Sequence, residues 1–343
     1  MILQEVYFGK SINIQRIEDL LNSIRNKYKD EGVRAPALIV NKVNRDPMLF
    51  KITDLIKDQF NFKEVIMTIR NDSELRAYTI CYVSSNKSLL SLDQKSQAEF
   101  KNSVILTQDG PIFNHKNLHP NLLIVFSTGI LFSDTISISE LMAALLHEIG
   151  HAFSKSIIGS SEFDVRIDEK HADSFATMYG YGPELNGALT KISTYNQFKD
   201  HETLRQIPII NVFVSLKNIL GSVWNRMVTG NEHPSIAQRM NNTIAQLELD
   251  LAKSENLTIA QRKELEEDLN KAKQIRDAYY NSSPTLGDAV YRGYMHHVEP
   301  RLPREALADR HADQYGSIED INQFYSDLYM KQKGYFKSYK KVK

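Results

Sequence analysis

The amino-acid sequence predicts an α+β fold, in which a small N-terminal α/β region with a few strands precedes a mainly helical remainder. Strand-like runs rich in β-branched and aromatic residues are confined to roughly the first 135 residues. These runs are PALIV (36–40), EVIMTIR (64–70), LRAYTICYV (75–83) and LLIVFSTGIL (122–131). After Ser137, apolar residues recur almost throughout at helical spacing. With 343 residues, 42% of them hydrophobic, the chain is long enough to bury a sizeable core.

Two helices are predicted near the N-terminus. Within residues 13–29, apolar side chains recur at helical spacing at Ile14, Ile17, Leu20, Leu21 and Ile24. Asp46-Pro47 predicts the start of a second helix, because proline is favoured in the first helical turn. The strand-like runs lie between and after these helices, so this region is predicted to be α/β.

A capping box precedes the longest apolar stretch of the helical part. Ser137 and Glu140 stand in the S-x-x-E relation, which predicts a helix that starts near Ile138 and runs through Phe153. Further along, the apolar segment IPIINVFVSL (207–216) predicts a buried helix, because it is far shorter than the ~20 residues that span a bilayer.

Residues 235–280 predict an antiparallel helical hairpin. Two apolar stripes at helical spacing are separated by SENLT (254–258). Thr258 and Gln261 form a second capping box, at the start of the second helix. The outer faces are rich in Lys and Glu, and we expect solvent to cover them.

Composition narrows the expected partners and compartment. The formal net charge is +0, which indicates no electrostatic footprint for nucleic acid, and the lysine-rich residues 331–343 are predicted to be a solvated tail. The lone Cys81 excludes an intramolecular disulfide and any zinc site made only of cysteines, and it fits a reducing compartment. The N-terminus does not have the pattern of a secretory signal. We therefore expect a cytoplasmic protein with no membrane span and no nucleic-acid partner.

The sequence HEIGH places two histidines and a carboxylate within an apolar helix. His147 and His151 lie four residues apart, so both imidazoles project from the same helix face and can bind one metal ion, with Glu148 beside them. Polar groups in a core need strong partners, and one zinc ion would supply a partner to both histidines. The sequence therefore predicts one Zn²⁺ per chain.

A third metal ligand is expected elsewhere, because a catalytic zinc usually has three protein ligands and an open position. Glu169 stands eighteen residues after His151, in the run RIDEKHADSFATMYGYG. On a helix Glu169 shares a face with Asp173, which could accept a hydrogen bond from a ligand imidazole. Small residues would let this helix approach the metal helix closely, and a glycine would end it: Ala172, Ala176 and Gly180.

A second copy of this pattern leaves an alternative open. The pattern E-x-x-A-D-x-x-A-x-x-Y-G begins at Glu169 and again at Glu305, so either glutamate could be the ligand. We favour Glu169, because a short connection brings its helix straight back against the HEIGH helix. His171 and His311 are weaker candidates, because each lies off the glutamate face of its helix.

Together these motifs resemble those of the gluzincin metallopeptidases, within them the superfamily of the CAAX prenyl protease type 1 and the heat-shock-induced membrane proteases. The resemblance covers roughly residues 75–240 and is carried by AYT (77–79), STGIL (127–131), ELMAALLHEIGHAF, the EKHAD helix and HPSIAQR (233–239). It implies a zincin-like catalytic domain in which six residues form the site. They are the zinc ligands His147, His151 and Glu169, the general base Glu148, and His233 with Arg239 at the cleft.

The predicted domain organisation is based on these patterns and on the resemblance. Residues 1–70 form the N-terminal α/β region and residues 71–240 the metallopeptidase core. The helical hairpin occupies residues 235–282. Residues 283–343 form a C-terminal helical segment that ends in the basic tail.

The predicted function is zinc-dependent hydrolysis of a peptide or protein substrate. Zinc would lower the pKa of a water molecule, and Glu148 would accept its proton. His233 and Arg239 are candidates to face the developing oxyanion, although Arg239 could equally tether the second helix through Asp173 or Glu169. An extended substrate could pair with the edge of the strand at 122–131.

Two alternatives stay open from the sequence. One is a catalytically idle, zinc-stabilised interaction module that presents the helical hairpin; a fourth protein ligand such as His171 or His233 would favour it. The other is a peptidase that is inhibited by its own C-terminal segment, with the helix around Glu305 packed at the cleft.

Overall fold

The structure, a computed structural model, describes residues 7–82, 104–107, 110–113, 120–158, 165–198, 208–224, 234, 236–253, 257–281, 286–294 and 297. Its strands are β1 (Glu64–Arg70), β2 (Ala77–Tyr82), β3 (Val104–Thr107), β4 (Gly110–Phe113) and β5 (Asn121–Ser127). Its helices before the hairpin are α1 (Ile12–Arg34), α2 (Pro36–Asn44), α3 (Pro47–Phe60), α4 (Thr128–Leu131), α5 (Ile138–Ile158), α6 (Val165–Met178), α7 (Gly182–Phe198) and α8 (Pro208–Trp224). The hairpin consists of α9 (Ile236–Lys253) and α10 (Ile259–Asn281), and a short helix, α11 (Leu286–Gly293), comes after it. The predicted α+β class is confirmed.

Helices α1 and α3 form where the sequence predicts them. Ser11 is the N-cap of α1, and its side chain accepts a hydrogen bond from the Ile14 backbone N–H. Asp46 is the N-cap of α3 and accepts from the Met48 backbone N–H at 2.8 Å, with Pro47 in the first turn. Both helices bury one apolar face, and they pack against each other.

The run PALIV (36–40) was predicted to be a strand, and this prediction is wrong, because the run begins helix α2. Pro36 occupies the first turn, and the apolar residues Ile39 and Val43 lie one helical turn apart and are both buried. At the end of the helix, the Asn44 amide donates to the Ile69 carbonyl (3.0 Å) and accepts from the Ile69 N–H (2.7 Å). This tertiary pairing with strand β1 outweighs the β-propensity of a five-residue run.

Three strands form the main sheet in the order β1-β5-β2. Strand β5 lies in the centre, parallel to β1 and antiparallel to β2, with Ile124 opposite Met67 on one side and Thr79 on the other. The segment at 122–131 therefore offers no free edge along its strand part, contrary to the expectation that a substrate could pair there. Among the described residues, β2 has an outer edge in this sheet. Strands β3 and β4 form a separate hairpin that was not predicted from the sequence.

The end of β5 leads into helix α5, which carries the HEIGH sequence, through a turn held by hydrogen bonds. The strand ends at Ser127, so STGIL spans the last strand residue and the single-turn helix α4. Arg25 of α1 is buried and donates hydrogen bonds to the carbonyls of Leu131 (2.6 Å) and Ile136 (2.6 Å). Because these carbonyls precede α5, this arginine fixes the start of α5 against α1.

Both predicted capping boxes are present. The Ser137 N–H donates to Glu140 Oε2 (2.7 Å) while the Glu140 N–H donates to Ser137 Oγ (3.2 Å), so α5 begins as predicted at Ile138. The same reciprocal pair forms between Thr258 and Gln261 at the start of α10. The predicted antiparallel hairpin is confirmed as α9 and α10, which pack together.

Helix α8 matches the apolar segment at 207–216, but the prediction that this helix is buried is wrong. Four of its large apolar side chains are exposed by 42–71%: Ile209, Phe213, Leu216 and Leu220. Helix α8 packs against α11 through its other side. Among the described helices, none is both long and apolar enough to cross a lipid bilayer.

Two hydrophobic clusters stabilise the described part of the chain. The larger one draws buried side chains from α1 through α7 and from four of the strands, β1, β2, β4 and β5. The smaller one joins the hairpin helices α9 and α10 to Tyr7 near the N-terminus. Helix α5 contributes to the larger cluster almost along its whole described length, so it lies inside the core as its apolar sequence predicts.

Candidate metal centre

Helix α5 presents two histidines on one face. His147 and His151 lie one turn apart, and their Nε2 atoms are 3.1 Å from each other. His147 is buried, and His151 is partly buried. At this distance the two rings can share one N–H···N hydrogen bond, and the same two nitrogens could instead bind one metal ion.

Helix α6 brings Glu169 to the same point. Glu169 Oε2 lies 3.4 Å from His147 Nε2, and Glu169 Oε1 lies 3.8 Å from His151 Nε2. In a tetrahedral zinc site with bond lengths of about 2.1 Å, neighbouring ligand atoms are about 3.4 Å apart. The three side chains therefore lie close enough together that they could hold one metal ion.

The approach of α6 to α5 depends on small residues. A Cβ atom added to Gly150 would lie 2.8 Å from Ala172 Cα and 2.9 Å from Phe175 Cβ. The prediction that Ala172 permits close packing is confirmed, and Gly150, inside the HEIGH motif, is the matching residue on α5. Helix α6 ends at Met178, before Gly180 with φ +75°, which confirms the predicted stop.

Each histidine has a carboxylate behind it. Asp173 Oδ1 lies 3.0 Å from His147 Nδ1, as the sequence predicts, and Asp168 Oδ2 lies 2.9 Å from His151 Nδ1. Such contacts fix the imidazole so that Nε2 faces a metal. Burial lowers the pKa of His151, but its hydrogen bond to Asp168 and the charges of nearby carboxylates outweigh burial, so the net pKa is raised. Asp168 was not predicted from the sequence; its position next to Glu169 was the available signal.

Arg239 joins the hairpin to this site. From α9 its guanidinium donates to both carboxylate oxygens of Asp173 (2.6 and 2.8 Å) and lies 3.1 Å from Glu169 Oε2. Burial alone would raise the pKa of Asp173, but the charge of Arg239, together with hydrogen bonds from His147 and Arg239, holds that pKa below its usual value. The tethering contacts considered for Arg239 are therefore both present.

Glu148 lies beside the ligand group and outside it. The Thr79 hydroxyl of β2 lies 2.8 Å from the Glu148 backbone carbonyl and 3.3 Å from Glu148 Oε2, within donating distance of both. Burial raises the pKa of Glu148, an effect that His147 and His151 partly oppose. This strand-to-helix contact holds the carboxylate next to the two histidines.

Most of the predicted site residues come together, and the others fall outside the described part of the chain. The structure assembles His147, Glu148, His151, Glu169, Asp173 and Arg239 in one place. His171 is buried, burial lowers its pKa to about 4, and it is not part of the ligand group. His233, Glu305 and His311 lie outside the described residues, as does most of the segment 283–343.

The arrangement fits a divalent cation by its chemistry as well as by its spacing. Two imidazole nitrogens and one carboxylate oxygen are a donor set that suits Zn²⁺. Three nearby carboxylates, from Asp168, Glu169 and Asp173, are matched by one guanidinium, so the site carries excess negative charge that a cation would neutralise. A scan against protein-family models, a search of curated proteins and a search of solved structures each found no match to this chain.

Proposed function

We propose that this chain is a zinc-dependent metallopeptidase, related in its site to the gluzincins that its motifs resemble. The observation that carries the proposal is the triangle of residues His147, His151 and Glu169. His147 Nε2 lies 3.1 Å from His151 Nε2 and 3.4 Å from Glu169 Oε2, and His151 Nε2 lies 3.8 Å from Glu169 Oε1. Glu148 lies next to this triangle but is not one of its corners. A site that only stabilises the fold has no need of such an additional carboxylate.

The three corner residues would hold the zinc ion, each in a fixed orientation. Asp173 and Asp168 hold the two imidazoles from behind, and Arg239 holds Glu169 through Oε2. A bound zinc ion lowers the pKa of a water molecule and polarises a carbonyl oxygen. The water molecule would become the nucleophile, and the polarised substrate carbonyl beside it would become the electrophile.

Glu148 would perform the proton transfers. Its carboxylate accepts the proton of the attacking water and then gives it to the leaving amine of the cleaved peptide. Thr79 restricts the motion of this carboxylate through the contact at 3.3 Å. Because this carboxylate is restrained beside the ligand group, it could transfer a proton without a large movement of its side chain.

The substrate would bind as an extended chain along β2. This strand packs against α5 and contacts Glu148 through Thr79. Strand β5 pairs with one edge of β2. Ile80 of β2 is 43% exposed. An extended peptide can add to a strand edge through backbone hydrogen bonds, which do not depend on the peptide sequence. This edge replaces the one at 122–131 that was first expected to bind substrate.

The roles of Arg239 and His233 at the cleft stay predictions. The contacts of Arg239 with Asp173 and Glu169 support a tethering role, in which it positions the α6 residues and does not touch substrate.

The test combines metal analysis with hydrolysis. The purified full chain is supplied with zinc, its metal content is measured, and cleavage of casein is followed by mass spectrometry. We expect about one zinc per chain and hydrolysis in the wild type. Glu148→Gln should keep the zinc and lose hydrolysis, because glutamine can still accept from Thr79 but cannot accept a proton from water. Glu266→Gln, at an exposed glutamate, is the matched control.

A second pair of variants tests the third ligand. Glu169→Ala should lose zinc and activity, whereas Glu305→Ala should keep both. Hydrolysis that survives in Glu148→Gln would contradict the mechanism. Zinc without hydrolysis in the wild type would favour the idle, zinc-stabilised module, and a chain that takes up no zinc would refute the metal centre itself.

A further inference from the structure

Helix α8 has its polar and apolar sides reversed with respect to a normal surface helix. Its inner residues Asn211 and Ser215 are fully buried, although both are polar. Asn211 lies against Gly287 of α11, where an added Cβ would be 2.6 Å from the Asn211 backbone carbonyl oxygen. The small and polar inner side lets α8 and α11 pack closely. On the opposite side, four large apolar side chains whose burial is described are exposed.

The exposed side chains form a narrow seam with a defined spacing. Ile209, Phe213, Leu216 and Leu220 follow each other at intervals of four, three and four residues. This is the spacing of the a and d positions of a heptad, which keeps apolar side chains in line on one side of a helix. A seam of this kind fits the side chains of a second helix.

The seam is also symmetric when the helix direction is reversed. Intervals of four, three and four give the same pattern from either end, so a two-fold axis through the middle of the seam would pair Ile209 with Leu220 and Phe213 with Leu216 of a second copy. A two-fold interface requires such a self-complementary surface. This axis passes between Val214 and Ser215, so Lys217, the one charged residue of α8, would lie opposite Val212 of the second copy and not opposite itself.

We propose that α8 forms the interface of a homodimer, in which the two copies of α8 pack antiparallel along the seam Ile209–Phe213–Leu216–Leu220. Large apolar side chains offer up to about 150–250 Å² each, so at their exposures of 42–71% the four expose on the order of 500 Å². Two copies would bury up to about 1,000 Å², which is about the smallest area of a specific interface. The proposal does not depend on the metal centre.

The first experiment measures the mass of the full chain in solution by sedimentation at micromolar concentration. The wild type should be a dimer. Phe213→Glu should be a monomer, because burying an unpaired carboxylate in the seam would raise the dimer dissociation constant by at least about 100-fold. Ile259→Glu is the matched control, since Ile259 is 91% exposed at the start of α10, and this variant should stay dimeric.

The second experiment tests the direction of the helices by oxidation of cysteine variants. A mixture of Ile209→Cys and Leu220→Cys chains should form a mixed disulfide, whereas neither variant should cross-link with itself, because its two cysteines would be about 16 Å apart along the helix. Self-cross-linking of each variant would show a parallel pair and overturn the proposal. A wild type that is monomeric would also overturn the proposal, whether or not it binds lipid vesicles in a flotation assay. A dimer that stays intact in Phe213→Glu would overturn it as well.

Discussion

At the scale of single residues, the candidate site depends on carboxylates that hold other side chains in place. Asp168 is the clearest case, because its Oδ2 lies 2.9 Å from His151 Nδ1. Asp168→Asn keeps a hydrogen-bond acceptor but removes the charge that strengthens the imidazole as a donor to the metal. We expect zinc affinity to fall by about 10–100-fold, measured by competition with a chelator.

Asp134→Asn is the control for this variant, because Asp134 is an exposed carboxylate paired with Lys29. Its zinc affinity should equal that of the wild type. An unchanged affinity in Asp168→Asn would mean that the contact with His151 does not act on the metal.

The second prediction at this scale concerns Arg239, which is a buried cation between two buried carboxylates. Arg239→Met keeps most of the side-chain volume but leaves Asp173 and Glu169 without their positive partner. We expect the free energy of unfolding of the zinc-free protein to fall by about 3–5 kcal/mol, measured by denaturant titration. Arg262→Met, at an exposed arginine of α10, should lose little. Lost activity with unchanged stability would instead support the predicted role at the oxyanion.

At the scale of elements, the site depends on how closely α6 can approach α5. Gly150→Ala adds a methyl group where a Cβ would lie 2.8 Å from Ala172 Cα, which is backbone and cannot rotate away. We expect a loss of about 1–3 kcal/mol in the free energy of unfolding and weaker zinc binding, because α6 carries Glu169 and would be displaced.

Gly221→Ala is the matched control, since a Cβ there meets nothing within 4 Å and alanine favours a helix. That variant should be as stable as the wild type or slightly more stable. Equal effects of the two substitutions would mean that the contact between α5 and α6 is not tight.

The elements also show what the sequence could predict and what it could not. Capping boxes are local, so the sequence predicted a helix start near Ile138 and another after the Thr258–Gln261 box, and α5 and α10 begin there. The segment at 36–40 was mistaken for a strand because its helix depends on contacts beyond the segment, from Asn44 to β1. The reversed sides of α8 could not be found from its apolar composition, because composition does not say which side faces a neighbour. In the site, the HEIGH spacing was sufficient to predict that His147 and His151 lie together, whereas the contact of Asp168 with His151 required the relative position of two helices.

At the scale of the whole molecule, the N-terminal residues connect the hairpin to the core. The backbone N–H of Phe8 donates to the Met178 carbonyl at the end of α6, at 2.8 Å. Tyr7 packs in the cluster of α9 and α10, and its hydroxyl lies 3.5 Å from Asp268 Oδ2. The first described residues therefore hold the hairpin close to the helix that carries Glu169.

This connection contains an ionisable group whose pKa is shifted into the physiological range. Burial, together with the charge of Glu184, raises the pKa of Asp268 to about 7, although the charge of Lys10 opposes the shift. A carboxyl group with a raised pKa in the folded state binds its proton more tightly there than in the unfolded chain. Its contribution to stability is therefore fully present below about pH 4 and is lost as the pH rises through about 7, by at most about 1.4 kcal/mol per pH unit.

Asp268→Asn removes this dependence, because asparagine stays neutral in both states. We expect the variant to unfold at a higher temperature than the wild type at pH 8, and the difference between the two to shrink steadily as the pH falls from 7 to 5. The measurement is thermal unfolding of the full chain across this range. Asp277→Asn, at an exposed carboxylate of the same helix, should follow the wild type at every pH. A difference that stays constant between pH 5 and 8 would show that Asp268 is already ionised throughout, and that its lysine neighbours stabilise its charge more than burial penalises it.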